Sequence, residues 1–194
     1  MAFWLSGSGA ADVAYGWSDT SYFGDLFGKT KTEIQTTLKK KYSGAGVKLL
    51  VSAFGATDYP TKLNPVETAN RLAEFVIDNK FDGVDIDYED NGAMEMGTGV
   101  PWLISFTIQL RQRLPRPYVI CHAPQAPYFY EKRYPHEGYI GVNKEVGHMI
   151  DFYTIQFYNQ ESSRYDTYET LFKASTGWAP GTSVKELIEK GIPA

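Results

Sequence analysis

The segment Phe81-Asp82-Gly83-Val84-Asp85-Ile86-Asp87-Tyr88-Glu89-Asp90 decides the fold. From Val84 to Glu89 apolar and acidic residues alternate, which is the period of a strand and not of a helix. Asp85, Asp87 and Glu89 therefore share one face, and Val84, Ile86 and Tyr88 the other. Alternation alone suits a strand whose acids face water. The flanking segments argue against that placement. Upstream, Asn64-Pro65 supplies an N-cap and a first-turn proline for a helix running to about Lys80, with Leu72, Phe75 and Val76 on one face. Downstream, Trp102–Leu114 reads as a helix stopped by Pro115 and Pro117. A strand between two helices belongs to a parallel sheet covered by helices on its apolar side.

The same alternation extends outward in both directions. Ala2–Leu5, Val47–Ala53, Tyr118–Ala123 and Phe152–Tyr158 read as further strands. Thr30–Tyr42, Tyr165–Ser175 and Ser183–Lys190 read as helices, and Asn91–Val100 as a Gly-rich loop. Strand and helix alternate along the whole chain, so the class is α/β in one domain over 1–194. A doubly wound open sheet and a (β/α)8 barrel both fit. No G-x-G-x-x-G follows a strand and no G-K-[ST] loop exists, which leaves a nucleotide-binding sheet little support. In a barrel the acidic face would point inward. Three carboxylates about 7 Å apart in a confined space would not all stay ionised at neutral pH.

Composition narrows the function classes. The chain has 194 residues, 43% of them hydrophobic, which is enough to build a core. A net charge of −4 gives no bulk attraction to nucleic acid or to an anionic membrane. No apolar run is long enough to span a bilayer. One cysteine, Cys121, excludes an internal disulfide and reads as a small buried residue. His122, His136 and His148 are too dispersed for a metal motif, so no metal and no cofactor are expected. Lys39-Lys40-Lys41 reads as a solvated helix end. Trp4, Trp17, Trp102 and Trp178 are expected to pack rather than to stack on a ligand.

The acidic strand resembles the D-x-x-D-x-D-x-E signature of glycoside hydrolase family 18, with Asp82, Asp85, Asp87 and Glu89 at the matching positions. In that family the motif ends the fourth strand of a (β/α)8 barrel. Ser52 and Gly55 match the S-x-G-G end of the third strand, although Ala53-Phe54 stands between them and Ala56 replaces the final glycine. His122-Ala123-Pro124-Gln125 is similar to the fifth-strand end of fungal members, and Gln156-Phe157-Tyr158-Asn159 to the sixth-strand end of the plant-type and fungal branch. The resemblance implies a barrel represented by its strands two to six, five βα units in all, without the first strand or the last two.

It further implies hydrolysis of β-1,4 bonds after N-acetylglucosamine, in chitin, chito-oligosaccharides or the chitobiose core of N-glycans. The attacking atom would be the sugar's own acetamido oxygen. Glu89 would be the acid and base, Asp87 would hold the acetamide, Asp85 would share a proton with Asp87, and Tyr158 would donate to the acetamide oxygen. Gln156, Asn159, Ser52, Gly55, His122 and Asp82 would form the remaining substrate pocket. The partner would be an N-acetylglucosamine-containing glycan. Export is also implied, although Met1–Gly7 carries no basic leader. Unpaired edges are expected at Ala2–Leu5 and Phe152–Tyr158, where copies could associate. A carbohydrate-binding relative without turnover is the alternative from another class; a plain structural domain would instead need its three acids open to water.

Overall fold

The computed structural model describes residues 1–19, 30–160 and 165–193. Its centre is a six-stranded sheet of β1 (Ala2–Leu5), β2 (Gly9–Ala10), β3 (Leu50–Phe54), β4 (Gly83–Asp87), β5 (Val119–His122) and β6 (Phe152–Tyr153). The order is β2-β1-β3-β4-β5-β6. Every pairing is parallel except β1 with β2. The helices are α1 (Asp12–Ser18), α2 (Lys31–Gly44), α3 (Pro65–Asp78), α4 (Asn91–Met96), α5 (Gly99–Arg113), α6 (Tyr139–Val146) and α7 (Val184–Glu189). The sheet is open, so the architecture is an incomplete (β/α)8 barrel.

Period two along β4 divides the molecule. Val84, Ile86 and Tyr88 are fully buried on the helix side. They pack with Leu72 and Val76 of α3 and with Leu103, Phe106 and Leu110 of α5 in one core. Each such side chain contributes about 1.5–3 kcal/mol by leaving water. Much of the aromatic content lies here: Trp102 stacks on Phe106 at 4.8 Å, and Phe54 meets Phe106 at 5.5 Å. Trp4, Trp17 and Trp102 are buried, so they pack as expected. Asp85 and Asp87 take the opposite face and are only partly buried.

Two glycines set the ends of this arrangement. A Cβ on Gly83 would lie 1.9 Å from the Val119 carbonyl oxygen, so β4 can start beside β5 only with glycine there. Phe54 and Gly55 both have left-handed φ, 82° and 87°. That reversal lets the Gly55 N–H donate to the Asp87 carbonyl at 2.8 Å.

The structure departs from the sequence reading in several places. Residues 91–100 are not a loop: Asp90 accepts from the Ala93 N–H at 3.1 Å and starts α4, Gly97 ends it, and α5 begins at Gly99. The helix expected over Tyr165–Ser175 is a π-helix at Glu169–Lys173. The strand expected over Phe152–Tyr158 is regular only at Phe152–Tyr153, with one further bridge between Gln125 and Gln156. The edge expected at Ala2–Leu5 is covered, because β2 pairs with Trp4 and Leu5. Lys39 is not merely solvated: its ammonium pairs with Asp82 at 2.5 Å.

Candidate active site

Side chains on the cleft face of β3 to β6 enclose about 880 Å³. Ser52, Asp85, Asp87, Cys121, Thr154 and Tyr158 are among those lining it. The register explains why they meet. Asp85 sits between Ser52 on β3 and Cys121 on β5, and Phe54 stands opposite Asp87.

Each carboxyl has a defined set of partners. The Ser52 hydroxyl donates to Asp85 Oδ2 at 2.8 Å. The Cys121 thiol and the Thr154 hydroxyl donate to Asp85 Oδ1 at 2.9 and 3.3 Å. Gln156 Nε2 donates to Asp87 Oδ1 at 2.7 Å and to the Ala123 carbonyl at 2.9 Å. Glu89 lies one step further along and is also half-buried. It accepts from Gln125 Nε2 at 3.1 Å and shares a hydrogen bond with Asp87.

Burial, then the charges of Glu89 and Asp85 and the bond shared with Glu89, push the Asp87 carboxyl up to about 7, against a smaller opposing effect from Gln156. No cation pairs with Asp87 among the described residues. Tyr158 is exposed, with its ring at the cleft. What burial its hydroxyl has, and then the charges of Asp87, Glu89 and Asp85, raise its pKa.

Not every residue read from the sequence reaches the cleft. Asp82 is at the opposite end of β4, where it accepts from the Leu49 N–H at 2.7 Å and faces Lys39; it ties β4 to its neighbours and does not line the cleft. His122 is fully buried on the helix side, because the register that puts Cys121 beside Asp85 turns the next side chain away. Its ring contacts the hydroxyls of Tyr139 at 3.1 Å and Thr107 at 3.4 Å, and burial pushes its pKa down to about 3. Gly55 acts through its backbone turn, where an added Cβ would come 3.2 Å from the Phe3 ring. Asn159 is exposed in a left-handed turn with φ 60° and does not line the cleft. Glu89 likewise does not line it and communicates with it through Asp87.

Three contributors were missed in the sequence: Cys121, Thr154 and Gln125. Parity along β5, and continued one residue past β6, carries the signal for the first two, but it needs the strand register to be used. Among the described residues no group of His, Cys, Asp and Glu is placed to hold a metal ion.

Among solved structures the chain is similar to a family 18 chitinase from Pseudoalteromonas aurantia, with 41% identity and a TM-score of 0.55 over 61% of this chain and 46% of that one. It is also similar to a chitinase from Rhizomucor miehei, with 16% identity and a TM-score of 0.60 over 85% of this chain and 53% of that one. A family 18 chitinase from Chromobacterium violaceum matches at 19% identity and a TM-score of 0.50, over 70% of this chain and 37% of that one. The last two likenesses establish the fold alone. The chain thus spans about half the length of these structures, or less. No protein-family model and no curated protein matches it. The family 18 resemblance is borne out by the first of these neighbours, and the barrel architecture by the first two. No helix among the described residues is long and apolar enough to cross a membrane.

Proposed function

We propose that this chain carries the catalytic carboxyls of a glycoside hydrolase of family 18 type, cleaving β-1,4 bonds that follow N-acetylglucosamine in chitin, chito-oligosaccharides or the N-glycan chitobiose core, with retention of configuration. The observation that carries the reading is the Asp87 carboxyl. It lies between two other acids with no cation in attendance, and holds a proton up to about pH 7. A fold accepts a carboxyl held against like charges where the charges have work to do.

In this reading the proton shared by Asp87 and Glu89 moves to Glu89, which delivers it to the leaving glycosidic oxygen. The acetamido oxygen of the bound sugar attacks the anomeric carbon, so no protein nucleophile is needed. Asp87, now a carboxylate, accepts the acetamide N–H and offsets the positive charge that develops on the ring being closed. Gln156, fixed by the Ala123 carbonyl, keeps Asp87 in place. Tyr158 donates to the acetamide from the other side of the cleft. Glu89 then takes a proton from the incoming water.

Release of fluorophore from an N-acetylglucosamine oligomer by the chain and by Glu89→Gln tests the assignment. The variant is expected to lose at least about 10³-fold in kcat, with its circular dichroism and thermal transition retained. Parental turnover in the variant would refute the role of Glu89. A second reading, a carbohydrate-binding chain without turnover, is favoured by the open barrel. It would show as tight oligomer binding with no release by the parent itself.

A further inference from the structure

We propose that Cys121 is a positioning residue for this reaction, its thiol holding the Asp85 carboxylate in a fixed orientation beside Asp87. The inference rests on the reading of the site given above. Cys121 is the single cysteine of the chain. It faces Asp85 across the β4–β5 pairing and lines the cleft, yet is only 1% exposed.

Its sulfur lies 2.9 Å from Asp85 Oδ1 and 3.9 Å from the Thr154 hydroxyl. The other carboxylate oxygen takes the Ser52 hydroxyl at 2.8 Å. Asp85 is therefore gripped from both flanking strands, by Ser52 on Oδ2 and by Cys121, with the longer Thr154 contact, on Oδ1. An ionised carboxylate can only accept, so each neighbour has to supply a proton. Burial first, and the negative charge of Asp85 next, push the thiol pKa up. The sulfur thus keeps its proton and stays a donor, instead of adding another anion to the row.

A cysteine that merely filled space could be replaced by any apolar residue of its size. A donor cannot. Without it, Asp85 is held on the β5 side only by the longer Thr154 contact at 3.3 Å and is free to turn about its Ser52 bond. Asp87 would then meet a misplaced charge at the moment it accepts the acetamide. The loss should fall on turnover rather than on substrate binding.

The experiment compares Cys121→Ser, Cys121→Ala and Cys121→Val with the parent on the fluorogenic N-acetylglucosamine oligomer, each with a thermal melt. Alanine and valine are expected to lower kcat about 10-fold with KM unchanged, and serine, which restores a donor, to recover most of that loss. Equal turnover in the serine and alanine variants overturns the proposal, as does a loss confined to KM. A second readout does not need activity. The infrared S–H stretch of the parent is expected at the position of a strongly bonded thiol, moving to that of a free thiol in Asp85→Ala. A parent band already at the free position refutes the contact. If the parent turns over no oligomer, the proposed function fails, and this band alone decides whether Cys121 holds Asp85.

Discussion

Asp82 and Asp87 stand at opposite ends of one strand and meet opposite surroundings. At the lower end, burial works against the Asp82 charge, but the Leu49 N–H and Lys39 outweigh it and hold the carboxyl below its usual range. Asp151 at the same end repeats the pattern: burial opposes its charge, while the Ile120 N–H, Arg111 and Arg116 prevail. At the upper end Asp87 has a glutamine and two acids for company, and its carboxyl rises to about 7. Residue type is alike at the two ends, but Asp87 is the more deeply buried. Deeper burial, and then the sign of the neighbouring charge, make staples of one set and a proton store of the other.

The lower end is expected to break hardest. Arg111 donates to the carbonyls of Met149, Leu114 and Tyr118 and to the Asp151 carboxylate, joining the last turn of α5 to β5 and β6. Arg111→Ala leaves several carbonyls without their donor and the Asp151 carboxylate with only Arg116 and the Ile120 N–H. We expect about 2–3 kcal/mol of lost stability by urea denaturation, with kcat/KM of the folded fraction unchanged. A loss under about 1 kcal/mol would put this pair among ordinary surface contacts.

Asp87→Asn is the matching change at the upper end, with the opposite signature. It is expected to lower kcat about 10²–10³-fold by removing the acceptor for the acetamide N–H. It is not expected to destabilise the fold. The folded chain holds the Asp87 proton more tightly than the unfolded one, so this group's share of stability is greatest below about pH 4 and is lost as pH rises toward about 7. Asp82 and Asp151 run the other way: their share is present above about pH 4 and lost below it. The melting temperature of the parent should therefore fall between about pH 4 and 7, and Asp87→Asn should flatten that fall. An unchanged slope would show that Asp87 is not the group responsible.

This division was only half legible in the sequence. Alternation along Val84–Glu89 was enough to put Asp85, Asp87 and Glu89 on one face, because a strand admits no other parity. The helix after Asn64 was equally readable from its cap and its first-turn proline. Strand register was not readable, and the errors follow from that. His122 fits its motif, yet pairing Asp85 with Cys121 sends it into the core. Asp82 matched the signature, but its role depends on Lys39, which α2 brings back across the sheet from a distant part of the chain. The helix at Asn91–Met96 was hidden by its glycines and revealed only by the Asp90 cap.

Burial and neighbouring charge together sort these acids, and site-resolved carbon-13 NMR titration of the aspartate carboxyls tests that most directly. Asp87 is expected to titrate near pH 7, with Asp82 and Asp151 below the ordinary carboxylate range. An Asp87 midpoint near 4, level with an exposed aspartate, would contradict it.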